Sequence, residues 1–177
     1  MIDIQGKYGV NRDIVAFSKE GYILLSLPDR ETVEFLRGRL EDKLSKIMKR
    51  KLNLKDYHQY VQNDNQHTDI HLEMLLFLHE TELHFEVLAK NKEVLELIMG
   101  PDIDVQVHPH LRIARPEKPQ DNIGFHCDIS YGNTCYEMSC IIALTNFNEA
   151  GALKILPESH SQPMATSKNR VKSGGMN

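Results

Sequence analysis

Several features that identify a protein class from composition alone are scarce or absent in this sequence. It contains no tryptophan and only three cysteines, none in a Cys-x-x-Cys pair, which argues against a disulfide framework or a zinc knuckle. Its longest apolar run is far shorter than the roughly 18 residues that a membrane span requires, and its first residues lack the apolar core of a signal peptide. Basic residues are not in excess, because 21 Lys and Arg stand against 25 Asp and Glu. We therefore expect a cytoplasmic protein that binds neither nucleic acid nor a membrane.

From Glu31 to residue 99, apolar side chains recur every three or four positions, which is typical of amphipathic helices, whereas the run Tyr22 to Leu25 before them predicts a brief strand. The clearest helix is predicted from Glu31 to Leu52, with Asp29 as its N-cap, and further helical spacing follows over residues 72–88 and 91–99. The polar stretch Gln62 to Thr68 predicts a loop between them. Residues 1–101 are thus expected to form a mainly helical support region.

The apolar pattern changes to a period of two after this region. Ile103, Val105 and Val107 alternate with polar residues, and Leu111 and Ile113 alternate with Arg112 and Ala114, which predicts strands. Strands are expected through residues 102–160, followed by a polar tail or loop over 161–177. Helices first and strands afterwards predict one α+β domain, with helices packed on a sheet.

His126 and Asp128 are the candidate metal ligands. Residues i and i+2 of a strand point to the same face, so the imidazole and the carboxylate are expected to lie side by side. Together with a second histidine, such a pair forms the facial triad that holds Fe(II) with open positions for a keto acid and O₂. A His-x-Asp tripeptide also occurs by chance, and the neighbouring Gly124 and Gly132 favour the metal interpretation.

Three ordered blocks extend this interpretation. They are Gly124-Phe-His-Cys-Asp-Ile-Ser-Tyr-Gly132, Glu137-Met-Ser-Cys-Ile-Ile-Ala-Leu-Thr145 and Gly151-Ala-Leu-Lys-Ile-Leu-Pro-Glu-Ser-His160. In order and spacing, residues 122–161 resemble the phytanoyl-CoA dioxygenase family, which includes the ectoine hydroxylases. The resemblance implies a double-stranded β-helix, a cupin-like jelly-roll barrel supported by helices and incomplete at its C-terminal end.

The resemblance also implies an activity and its residues. The family members are Fe(II)- and 2-oxoglutarate-dependent dioxygenases, which hydroxylate a small-molecule substrate while 2-oxoglutarate is decarboxylated to succinate. His126 and Asp128 match the first two iron ligands, and Ser139 matches a hydroxyl that helps to hold 2-oxoglutarate. Arg112 is a second candidate for the co-substrate, with an exposed strand position as the alternative.

Other positions near the motif have two interpretations each. Phe125 and Tyr131 flank the metal ligands and are candidates for substrate contact, with core packing as the alternative. His160 is expected to serve a structural or outer role rather than to bind iron. Glu158 stands where the family usually has a glycine, which often supplies a positive φ.

The family's distal histidine and its 2-oxoglutarate-binding arginine come after this turn. Only 17 residues follow His160, and they include no histidine and a single arginine, Arg170. We expect the chain to be a partial form of a longer protein, with a degenerate, non-catalytic relative as the second interpretation. The rival functions are a jelly-roll binding module without turnover and a cupin-like metal isomerase that does not respond to 2-oxoglutarate.

Two other histidine patterns are weaker. His79 and His84 are five residues apart, whereas the zinc-protease helix needs a spacing of four, so a surface helix is the better interpretation. His108 and His110 flank a proline, and a turn is expected there.

Overall fold

A computed structural model describes residues 15, 17–24, 28–128, 134, 136–146 and 151–161. The chain divides into two compact units. One is Leu27–Lys154, and the other combines Met1–Ser26 with Ile155–Asn177. The long helices and the two predicted metal ligands belong to the first unit.

Helix α1 spans Arg30–Ile47. Asp29 caps it, since its carboxylate accepts a hydrogen bond of 3.4 Å from the backbone N–H of Thr32. Residues four apart share one face of a helix, and accordingly Leu36, Leu40 and Leu44 are all buried. The predicted helix is confirmed, but it ends before Leu52, because the chain turns at Lys49 with a left-handed φ of 52°.

Helix α2 spans Asp64–Thr81 and follows a short 3₁₀ helix, Leu54–Gln59. The side chain of Asn63 caps α2 by accepting from the backbone N–H of Gln66 at 2.9 Å, and the Gln66 side chain accepts from the N–H of Gln62 at 2.7 Å. The predicted loop over Gln62 to Thr68 is therefore wrong from Asp64 onward. Its polar residues begin a helix, because their side chains satisfy N–H groups that have no partner in the first turn.

Two short helices complete the helical part: α3, Leu83–Lys90, and α4, Lys92–Met99. Glu82 separates α2 from α3 with left-handed backbone, φ 51° and ψ 22°. Glu82 thus divides the segment predicted to be helical, residues 72–88, into two helices. Gly100, with a φ of 91°, ends α4 where the sequence predicts its end.

The core of the first unit lies between the helices. Helix α1 contacts both α2 and α3. The buried apolar residues come almost entirely from these helices and the turn that joins α1 to α2: Leu36, Leu40, Leu44, Leu52, Tyr57, Ile70, Met74, Leu78, Leu83 and Val87. Removing each of these side chains from water contributes about 2 kcal/mol, so the helical part holds most of the hydrophobic stabilisation.

The described residues contain no β-strand. The predicted α+β fold with a double-stranded β-helix is therefore wrong for this part of the chain, where residues 102–118 and 136–146 are irregular. Burial still alternates along the sequence. Leu111 and Ile113 are half-buried against the core, while Arg112 is exposed. A period of two describes an extended chain whether or not a neighbouring strand supplies hydrogen bonds, so it predicted which side chains point inward and did not establish strand pairing.

The irregular region also exposes side chains that a barrel interior would bury. The large apolar residues among them are Val105, Val107, Ile123, Phe125, Tyr136 and Ile141. The predicted sheet core is thus not formed by the described residues, and the helices carry the core instead.

A buried ion pair fixes the irregular region to the start of α2. The guanidinium of Arg115 binds both carboxylate oxygens of Asp121, with N–O distances of 2.7 and 2.8 Å, and donates to Asp64 at 3.0 Å. The hydrogen bond from Arg115 lowers the pKa of Asp121 to about 2. This bidentate geometry gives a guanidinium and a carboxylate their strongest hydrogen bonds.

Within the described residues, no helix combines the length and apolarity that crossing a bilayer requires.

Candidate metal centre

His126 and Asp128 lie side by side in the first unit. Nε2 of His126 is 3.2 Å from Oδ1 of Asp128. Both side chains are accessible to solvent, with 27% of the imidazole and 48% of the carboxylate side chain exposed. The two candidate ligands are therefore together and reachable, although the segment that carries them is not a strand.

The second nitrogen of His126 determines how the ring is oriented. Nδ1 lies 2.8 Å from the carbonyl oxygen of Gly124. Because a carbonyl oxygen can only accept, Nδ1 carries a proton and donates. In the neutral ring Nε2 is then the nitrogen with a lone pair, and it is the nitrogen that faces the carboxylate of Asp128.

The distance between the two donor atoms fits a shared metal ion. Metal bonds of about 2.1 Å to nitrogen and oxygen, at a right angle, place the two donor atoms about 3 Å apart. The observed 3.2 Å is close to this separation. A metal-bound histidine commonly donates its other N–H to a backbone carbonyl, as His126 does to Gly124.

Ser139 belongs to the same group. Its hydroxyl donates to Oδ2 of Asp128 at 2.8 Å. The two carboxylate oxygens thus have different partners, with Oδ1 facing His126 and Oδ2 accepting from Ser139. The structure brings together three of the predicted site residues from two segments that are eleven residues apart in sequence.

A complete metal site is not present in the described part of the chain. No three His, Cys, Asp or Glu side chains there stand close enough together to hold a metal ion. His126 and Asp128 have the donor atoms for two positions of a facial triad, and a triad built on them would need a third ligand from outside these residues.

The remaining candidates do not join the group. Arg112 is exposed and lies outside the hydrogen-bonded group of His126, Asp128 and Ser139. Phe125 is 78% exposed, so it neither packs in the core nor encloses a cavity. Tyr131 lies outside the described residues.

His160 lies in the other compact unit. Its Nε2 donates to the carbonyl of Ser18 at 3.1 Å, and its ring lies so close to Gly21 that a Cβ there would be 2.3 Å from Nδ1. His160 is thus engaged in packing on a glycine with a φ of 82°. Glu158 has a φ of 62°, so the left-handed backbone expected of the family's glycine is present with glutamate.

Three histidines assigned from sequence to helix surfaces or loops have other environments. His84 is buried, and His67 is buried with its Nδ1 2.9 Å from the hydroxyl of Tyr57. The ring of His79 lies 4.5 Å from that of His108. The left-handed residue Glu82 changes the direction of the chain between His79 and His84, so a spacing counted along one helix could not predict where His84 points.

Sequence reasoning singled out Arg112 and missed Arg115, which is 7% exposed. The signal was available in the alternation itself. If Leu111 and Ile113 point inward, Arg115 shares their side and Arg112 does not.

Comparisons with protein-family models, curated proteins and solved structures find no match to this chain. The resemblance to the phytanoyl-CoA dioxygenase family therefore stays a prediction from its three sequence blocks.

Proposed function

We propose that the chain contributes two iron ligands, His126 and Asp128, to a 2-oxoglutarate-dependent dioxygenase that hydroxylates a small molecule in the cytoplasm. The observation that carries the proposal is the 3.2 Å contact between Nε2 of His126 and Oδ1 of Asp128, with Nδ1 committed to the Gly124 carbonyl. An exposed ion pair stabilises a fold by about 0–1 kcal/mol, so folding alone gives little reason for this arrangement.

The chain's own residues would act by holding and orienting. His126 would bind the metal through Nε2, since its Nδ1 donates to a carbonyl, and Asp128 would bind it through Oδ1, the oxygen beside the imidazole, while Oδ2 accepts from Ser139. Bound Fe(II) and 2-oxoglutarate would supply the oxidising chemistry, which belongs to the cofactor and co-substrate.

Metal binding by the chain itself is the first test. Mn(II), which resists air oxidation, is titrated calorimetrically into the parent protein and into His126→Ala and Asp128→Asn. We expect each substitution to weaken binding by at least about tenfold, since each removes one of few ligands. His110→Ala, which removes another exposed histidine of the same unit, is the control and should leave binding unchanged.

The second test separates the enzyme from its rivals. Protein that carries the third ligand as well, incubated with Fe(II), 2-oxoglutarate and O₂, should form succinate, and its His126→Ala variant should not. Metal binding without succinate formation would instead support a binding module without turnover, and metal binding that 2-oxoglutarate does not affect would support a metal isomerase. A parent chain that binds no Mn(II) would contradict the proposal altogether.

A further inference from the structure

The carboxylate of Asp128 is held from two sides. Oδ1 faces Nε2 of His126 at 3.2 Å, and Oδ2 accepts from the Ser139 hydroxyl at 2.8 Å. The second bond fixes the rotation of the carboxylate about its last side-chain torsion. A carboxylate held in this way offers a single oxygen beside the imidazole.

The chemistry of the serine hydroxyl limits what else it can do. A hydroxyl group has one proton to donate, and the structure shows Ser139 donating it to Asp128. The carboxylates of 2-oxoglutarate are acceptors at neutral pH, so they need a donor. While Ser139 donates to Asp128, it cannot also donate to the co-substrate.

We propose that Ser139 is a positioning residue for the metal ligand Asp128, rather than a contact for 2-oxoglutarate. The inference rests on the proposed function, because it takes Asp128 as a metal ligand. Partners that orient a ligand commonly influence metal affinity by about 10- to 100-fold, so the role is measurable before any turnover.

Replacing Ser139 with alanine should have little effect on the stability of the fold. Ser139 is exposed, so removing its hydroxyl leaves neither a cavity nor a buried group without a partner. Thr145 provides a matched control, because it is a second hydroxyl residue in the same irregular stretch and is not bonded to Asp128.

The experiment measures two affinities separately. Mn(II) is titrated into the parent protein, Ser139→Ala, Ser139→Thr and Thr145→Ala, and 2-oxoglutarate is then titrated into each protein saturated with Mn(II). We expect Ser139→Ala to weaken Mn(II) binding about tenfold and Ser139→Thr to restore it, because threonine keeps the hydroxyl. Thr145→Ala should match the parent, and 2-oxoglutarate should bind equally well to all metal-saturated forms.

The opposite pattern would overturn the inference. Unchanged Mn(II) affinity with weakened 2-oxoglutarate binding in Ser139→Ala would make Ser139 a co-substrate contact and leave the proposed function intact. Unchanged affinity for both would show that the hydrogen bond has no role in the site. A parent protein that fails to bind Mn(II) would remove the proposed function as well, so the two failures are distinct.

Discussion

Nε2 of His71 donates a hydrogen bond of 2.7 Å to the backbone carbonyl of Leu111, joining α2 to the irregular region forty residues later. His79, further along the same helix, makes a second contact of this kind at 3.3 Å from the carbonyl of Pro109. Carbonyls two residues apart point the same way in an extended chain. The imidazoles of α2 thus donate hydrogen bonds to two backbone carbonyls that a neighbouring strand would satisfy in a sheet and that would otherwise depend on water.

Replacing His71 tests this arrangement. We expect His71→Ala to lower the free energy of unfolding by about 1 kcal/mol, the usual contribution of one hydrogen bond, and to increase amide hydrogen exchange around Leu111. His71→Gln is the matched variant, because its side-chain N–H can reach a similar position. Urea denaturation and exchange measured by mass spectrometry give the two readouts, and equal exchange in His71→Ala and the parent would contradict the bond's role.

The stability of the fold should fall in mild acid because of His67. Burial is the main cause that lowers the pKa of His67, and the nearby charge of Arg115 adds to it, while Asp121 opposes it. The folded chain therefore takes up a proton less readily than the unfolded chain, whose histidine has a pKa of about 6.5. Stability is fully present above that pH and is lost as the pH falls through it towards the lower folded value.

The measurement is the free energy of unfolding between pH 7.5 and 4.5. His67→Gln, whose side-chain amide can still hydrogen-bond with the Tyr57 hydroxyl, should reduce the slope. The buried His84 also has a lowered pKa, mainly from burial, so part of the slope should remain in His67→Gln. An identical slope in His67→Gln and the parent would rule His67 out as a source of acid sensitivity.

The sequence was sufficient for features that depend on neighbouring residues. Asp29 was expected to cap α1, and Gly100 to end α4, because capping and left-handed turns are decided within a few positions. His126 and Asp128 were expected side by side from their spacing of two in a strand, and they do lie together, although the segment is not a strand. The function assigned to that pair stays a prediction.

The parts that failed depend on distant partners. Alternation of apolar residues from Ile103 onward predicted strands, yet a strand requires a second segment in register, and no single-segment pattern specifies one. The break at Glu82 was missed because glutamate is an ordinary helix residue and nothing in its sequence neighbourhood signals a left-handed conformation. The hydrogen bond between Ser139 and Asp128 was not predicted either, because it depends on how two segments meet.

Replacing Glu82 with glycine should make the fold more stable. A left-handed conformation costs a residue with a Cβ about 1 kcal/mol or more, and glycine avoids that cost. We expect Glu82→Gly to raise the free energy of unfolding by up to about 1 kcal/mol. Glu80→Gly is the matched control on the same exposed surface. Because Glu80 lies within α2, its replacement should lower stability by about 1 kcal/mol. Urea denaturation of both variants should give shifts of opposite sign, and a loss of stability in both would contradict the role given to Glu82.

Arg115 binds two carboxylates that differ in exposure and in the number of hydrogen bonds, and these differences permit a final prediction. The side chain of Asp121 is 4% exposed, whereas that of Asp64 is 57% exposed. We expect Asp121→Asn to cost about 3 kcal/mol, because it leaves a buried guanidinium without its bidentate partner. Asp64→Asn should cost less than about 1 kcal/mol, since water replaces an exposed carboxylate readily.

In the parent, the stabilisation from Asp121 is present above its unfolded pKa of 3.8 and is lost as the pH falls through about 2. The parent's unfolding free energy should therefore drop between pH 4 and 2 more steeply than that of Asp121→Asn. If the two aspartates instead prove equally important, the buried geometry at Arg115 is not what holds the irregular region to α2.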